Sequence, residues 1–188
     1  MKLGYFDIEC WDLVAPYGPL LCVSILQLEP GKKDVMTTLR QDAYIRSKKA
    51  ADVLDDRQLA CDARDLLDKQ HMHAGWFSKG FDICHLNSRL ALHRERLLQP
   101  KLHMDAIWYF KGWRGLKLGS SKMKTVAAEL GLQRKPDVDS AVWMGARAGR
   151  KKEMDIVVDR CEADVRITRQ ITERALEMGL MRNIGVYP

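Results

Sequence analysis

"LGYFDIECW", Leu3 to Trp11, is the stretch that decides the fold. It begins as a short apolar strand and then places two carboxylates, Asp7 and Glu9, where a fold ordinarily keeps its most buried apolar side chains. Successive side chains of a strand point to opposite faces, so Asp7 and Glu9 share one face while Phe6 and Ile8 share the other. Two like charges one pleat apart are costly in a half-buried setting unless a cation lies between them, and a divalent metal ion is the simplest such cation. The other reading is a solvated edge strand with an acidic outer face. This stretch alone leaves both open.

Outward from it, residues 2–8 and 20–28 ("LLCVSILQL") read as strands joined by a turn at "APYGP", and "DVMTTLR" after "EPGKK" reads as a third. In "DDRQLACDARDLLDKQ", Leu59, Ala60, Ala63, Leu66 and Leu67 recur at helical spacing behind Asp55 or Asp56 as a cap, and "MHAGWF" follows as a strand. A helix is expected from Asp82 to Leu97, then a short fifth strand in "QPKLHMD". A helical and loop-rich stretch comes next, with "SSKMKTVAAELGL" as a capped helix ending at Gly131. From about Glu153 to Met178, Val157, Cys161, Val165, Thr168, Ile171 and Ala175 form one stripe, with Gly179 as the stop. Three strands followed by helices alternating with two more predict an α/β domain. Its mixed five-stranded sheet is a three-strand antiparallel meander plus two parallel strands, flanked by helices, the order of a ribonuclease H-like fold.

The chain of 188 residues is long enough for one domain with a full core, and a single domain over 1–188 is expected. No apolar run approaches the ~18 residues that span a bilayer, and no signal-peptide pattern precedes the first strand, so a cytoplasmic protein without a membrane partner is expected. The cysteines, Cys10, Cys22, Cys61, Cys84 and Cys161, form no zinc-like spacing and read as reduced, mostly core, thiols. A net charge of +6 makes a polyanionic partner plausible. Lys111, Arg114, Lys117, Lys122 and Lys124 surround Trp108, Tyr109, Phe110 and Trp113, and Arg147, Arg150, Lys151 and Lys152 form a second patch. Cations mixed with aromatics suit single-stranded nucleic acid, where phosphates meet charge and bases stack. A solvated helix end over aromatic core residues is the alternative.

Two further carboxylates stand out. Asp82, in "GWFSKGFDICHLNSRL", lies at a strand-to-helix junction, where it is either a side chain presented towards the sheet or only a charge at a helix N-terminus. Asp164, in "VVDRCEADVRIT", sits inside an apolar helix stripe beside Val157, Arg160, Cys161 and Thr168, whereas Asp159 and Glu162 are expected outside.

"FDIE", "KGFDICHLNSRL" and "CEADVRIT" resemble, in order, the three exonuclease motifs of the DEDD (DnaQ-like) superfamily of 3′–5′ exonucleases. "KLGSSKMKTVAAELGL" is similar to the segment between the second and third motifs in the exonuclease domains related to family B DNA polymerases. The resemblance implies a metal-dependent phosphodiester hydrolase working from a 3′ end, with two Mg²⁺ or Mn²⁺ ions roughly 4 Å apart at the scissile phosphate. It implies that Asp7 bridges the ions, that Glu9 and Asp164 complete one site with Asp7, and that Asp82 reaches the second ion largely through water. Single-stranded DNA is the favoured substrate and RNA the second candidate, because hydrolysis directed at the backbone needs no base readout. The substrate contacts expected are Phe77, Lys79, Lys117, Ser121 and Lys122. A free-standing enzyme is expected, with a replication or repair protein as a candidate partner. A nucleic-acid- or partner-binding module that kept the fold is the rival, and a purely structural domain within a larger assembly is the third reading.

The chain departs from the family pattern twice. The family carries a Tyr or His four residues before the last Asp, and here that position is Arg160, which stays protonated near neutral pH and cannot act as an ordinary general base. Three readings stay open: Arg160 binds a phosphate, pairs with Asp164 and weakens metal binding, or turns outward while another residue takes the role. His71, His73, His85, His93 and His103 are the candidates for the last. Relatives also carry an Asn four or five residues before the second-motif Asp, where this chain has Trp76-Phe77. Trp76 is expected in the core, and Phe77 either fills core or stacks on a terminal base.

Overall fold

In the structure, a computed structural model, residues 1–45, 54–111, 116–132, 137–180 and 185–187 are described. The opening stretch forms strand β1 (Leu3–Cys10). Phe6 and Ile8 pack into one core cluster and Tyr5 into another, so the two faces of the strand separate as the alternation requires. Strand β2 (Leu20–Leu28) pairs antiparallel with β1, and β3 (Val35–Arg40) antiparallel with β2. Strands β4 (Met72–Gly75) and β5 (Lys101–Asp105) add parallel on the other side of β1. The expected five strands thus stand in the order β3-β2-β1-β4-β5, and a short strand β6 (Gly185–Tyr187) extends the sheet antiparallel to β5.

Helices α1 (Arg57–Asp68) and α2 (Asp82–Leu92) cover one face, where Leu59, Ala63, Leu67, Leu86 and Leu90 close on Phe6, Ile8 and Ile25. Burying each of these leucine, isoleucine and phenylalanine side chains contributes about 1.5–3 kcal/mol. The other face is covered by α3 (Met123–Glu129) and the long α5 (Lys151–Glu177), whose Val165, Ile171 and Ala175 meet Tyr5, Leu26 and Met104. Helix α4 (Ser140–Arg147), capped by the Asp139 carboxylate on the N–H of Ala141, sets Ala146 against Met154, Val157 and Cys161. No helix among the described residues is long and apolar enough to cross a membrane.

Several local readings are corrected. Helix α2 ends at Leu92, not Leu97, because Arg94 turns into the left-handed region (φ 59°) and the N–H groups of Arg94 and Glu95 close back on Ala91 and Leu90. Strand β4 stops at Gly75, since Phe77 also has positive φ. Ser120 and Ser121 do not cap α3: its N-cap position is Lys122, which makes no side-chain cap. Asp56 does occupy the N-cap position of α1, yet its carboxylate does not cap; the carboxylate of Asp55 accepts the N–H of Arg57 instead. Of the thiols, Cys22 and Cys161 are buried, Cys10 and Cys61 are half-buried and Cys84 is exposed.

The topology also fixes where an opening forms. Strand β4 pairs with β1 only from Leu3 to Tyr5, so β1 runs on past its parallel neighbour and carries Asp7 and Glu9 beyond it. In open α/β sheets the crevice lies at the carboxyl ends of the parallel strands, where these two acids stand.

Candidate metal centre

Asp7 and Glu9 of β1 meet Asp164 of α5, and one carboxylate oxygen from each lies within 4.8 Å of the others. A register shift in the β1–β2 pairing falls between Glu9 and Cys10, so the ladder is irregular directly after the second acid. Asp164 lies on the helix stripe that faces the sheet and is 4% exposed. Three converging oxygen donors without a thiolate or imidazole match hard cations such as Mg²⁺ and Mn²⁺ and do not match a soft-metal site. The residues present therefore fit the metal that the sequence implies. The negative field of the cluster also reaches Cys10, whose thiol is pushed up to about 12, first by burial and then by the charges of Glu9, Asp82, Asp12 and Asp7.

Asp82 is the first residue of α2 and lines the same cleft, but it is not one of the three converging groups. Its Oδ1 accepts the N–H of Ile8 at 2.9 Å, so it fastens the backbone between the two acids of β1. Burial pushes its carboxyl up to about 8; its backbone hydrogen bonds work against the shift, and the charges of Glu9 and Asp105 add to it. A raised folded-state pKa means that Asp82 contributes stability below the ordinary carboxylate range and loses it as pH climbs towards about 8. Asp82→Asn, which keeps an oxygen for Ile8 and cannot ionise, is expected to melt a few degrees above wild type at pH 8.5 in EDTA, by roughly 2–4 °C per kcal/mol, and to match it at pH 4. Melting curves at the two pH values check this, and a gap of the same size at both would refute the assignment.

The cleft beside these acids holds about 600 Å³ and is also lined by Trp76, Phe77, Ser121, Lys122, Lys124 and Arg160. Its rim is built around Asp105 at the end of β5, a residue that no sequence pattern singles out. That buried carboxylate accepts the N–H groups of Phe77 (2.6 Å) and Lys79 (3.0 Å), and burial raises its pKa. Phe77 adopts φ 58°, which an aromatic residue takes only when its surroundings hold it there. A Cβ on Gly80 would come within 2.5 Å of the Phe77 ring, so only glycine lets the ring lie there. The ring is 40% exposed, and the Lys111 ammonium lies 5.0 Å from its centroid and 5.6 Å from that of Trp108, itself exposed. Trp76 is half-buried, stacks on Phe110 at 5.9 Å and lines the cleft as well.

Of the expected substrate contacts, Phe77, Ser121 and Lys122 line the cleft, while Lys79 and Lys117 lie outside its lining. Trp113 and Arg114 fall outside the described residues. Lys124 reaches the cleft with its ammonium on Asp137. In the second patch Arg147 lies over the ring of Trp11 at 4.5 Å, and Lys151 pairs with Asp155. Arg160 Nε donates to Glu9 Oε1 at 3.0 Å, and its guanidinium carbon sits 5.8 Å from the centroid of the Trp143 ring. None of the five histidines lines the cleft. His73 and His103 lie in the core beside Phe6, and burial depresses the pKa of both; His85 meets the carbonyl of Gly18, His93 meets Asp56, and His71 accepts the N–H of Lys2.

A family model described as RNase_H superfamily matches residues 4–176. Among solved structures, the chain is similar to the family B DNA polymerase from the hyperthermophilic archaeon Pyrobaculum calidifontis, with a TM-score of 0.68 at 15% identity over 95% of this chain and 25% of that one. The chain therefore spans a quarter of the polymerase's length, and at this identity the likeness is one of fold. No curated protein matches the chain.

Proposed function

Because the chain belongs to the RNase_H superfamily, we propose that it is a metal-dependent 3′–5′ exonuclease, one domain over residues 1–188, that hydrolyses nucleic acid with single-stranded DNA as its favoured substrate. The observation that carries this reading is the convergence of Asp7, Glu9 and Asp164 within 4.8 Å in a cleft whose walls also carry an exposed aromatic ring and lysines. Asp7, Glu9 and Asp164 hold the metal, with Asp82 beside them. Bound there, Mg²⁺ or Mn²⁺ would activate the attacking water and neutralise charge at the leaving oxygen. Phe77 offers its face to the terminal base, a contact open only to an unpaired end, and Lys122 with Ser121 takes backbone phosphate. Lys79 and Lys117, outside the cleft lining, extend the positive field along the strand's approach.

The test is digestion of a 5′-labelled single-stranded DNA and of its RNA counterpart with Mg²⁺ or Mn²⁺ and with EDTA. A ladder shortening from the 3′ end and abolished by EDTA is the expected result, strongest on DNA. One observation favours a second reading, a nucleic-acid- or partner-binding module on the same fold: the Arg160–Glu9 ion pair sets a cation on one of the acids. Salt-sensitive DNA affinity without metal-dependent shortening would decide for that reading.

A further inference from the structure

Resting on the metal-centre reading, we propose that Arg160 is an exchangeable latch on Glu9. Without nucleic acid its guanidinium holds Glu9 and lowers the affinity of the acid cluster for metal. A backbone phosphate entering the cleft draws it away, so metal and strand load together.

Three features support the exchange. The pair joins α5 to β1, Glu9 is itself one of the three converging acids, and both partners line the cleft, so a phosphate in the cleft has the guanidinium in reach. The two side chains keep 20% and 14% of their surface exposed, buried enough for the pair to hold and open enough for it to be approached. Moreover, a guanidinium is planar and always charged, and its fork of donors matches the oxygens of a phosphate as well as those of a carboxylate. The face of Trp143 beside it offers a surface along which the side chain swings while staying partly compensated. A Tyr or His at this position would place no permanent charge against Glu9, so the latch is a property of the arginine.

Coupling between two ligands is reciprocal, and typical values lie between about 5-fold and 150-fold. The test is Mn²⁺ binding followed by electron paramagnetic resonance, on wild type, Arg160→Ala, Arg160→Gln and Arg166→Ala. Each protein is titrated alone and with a short oligothymidylate whose 3′-terminal linkages are phosphorothioates. Alone, both Arg160 variants are expected to bind Mn²⁺ about fivefold or more tightly than wild type, with unchanged circular dichroism. The oligonucleotide is expected to tighten Mn²⁺ binding by a similar factor in wild type and not in the Arg160 variants. Arg166→Ala removes a cation of the same helix that pairs with Glu162 outside the cleft lining, and should leave the affinity for Mn²⁺ alone within about twofold of wild type. Arg166→Ala binding Mn²⁺ alone as tightly as the Arg160 variants, or Arg160 variants that bind Mn²⁺ alone no more tightly than wild type, or an oligonucleotide effect as large in the Arg160 variants as in wild type, overturns the latch and leaves the metal centre standing. Absence of Mn²⁺ binding in every protein, with and without oligonucleotide, overturns the metal-centre reading and the latch with it.

Discussion

Asp7→Ala is expected to lower the rate of 3′-end shortening by at least about 10³-fold while the domain stays folded. Removing a single hydrogen-bond donor to charge that develops in a transition state costs about 10²–10³ in rate, and Asp7 is asked to do more than one donor, since its carboxylate is one of the three that converge within 4.8 Å to hold the metal. The same substitution should not unfold the protein. Asp7 is only half-buried, and its carboxylate stands among like charges that repel it when no metal is bound. In EDTA the variant should therefore melt at or above the wild-type temperature, and added Mn²⁺ should raise the melting temperature of wild type far more than that of the variant. Single-turnover digestion with paired melting curves measures both effects. A variant that shortens DNA as fast as wild type would remove Asp7 from the chemistry, and one that loses activity together with its fold would show a structural role instead.

The parts of this fold legible in the sequence are those governed by short periods. Alternation around Phe6 and Ile8, and the stripe from Val157 to Ala175, place β1 and α5 because one face of each must be apolar wherever the element packs. Helix C-termini are legible where a glycine marks them: Gly131 and Gly179 both adopt positive φ just after α3 and α5, whereas the left-handed residue after α2 is Arg94, which carries no such mark. Helix α4 is too short to show a period, and β6 has three residues. At the site, the acids are legible by type and order, yet their convergence depends on β1 outrunning β4 and on where α5 crosses the sheet. Spacing along a helix makes Asp164 the neighbour of Arg160, and the contact with Glu9 comes from another element altogether. Asp105 was hidden for the same reason: its work is to hold backbone N–H groups of a loop distant in sequence.

Asp56→Ala is expected to cost stability on the scale of a broken buried ion pair, about 3–5 kcal/mol, the largest loss from any single polar substitution proposed for this chain. The carboxylate is fully buried and accepts the N–H of Leu20 at 2.7 Å, Arg89 Nε at 2.8 Å and His93 Nε2 at 2.6 Å. Arg89 is itself buried and spans to the carbonyl of Ala15, so one cluster ties α1, α2 and the start of β2 to the connection that follows Glu9. Alanine would leave the Arg89 guanidinium buried against the backbone N–H of Leu20, with neither satisfied by the side chain they had shared. Most of the cost is this stranded charge, not the lost attraction, and that makes the explanation testable apart from its size. In urea unfolding, Asp56→Ala should shift the midpoint strongly downward, whereas Asp56→Ala with Arg89→Met should recover a sizeable part of the loss, because methionine fills the space without a charge. Additive losses in the double variant would mean that the two residues stabilise the fold independently, and the ion pair would then be incidental to the connection it spans.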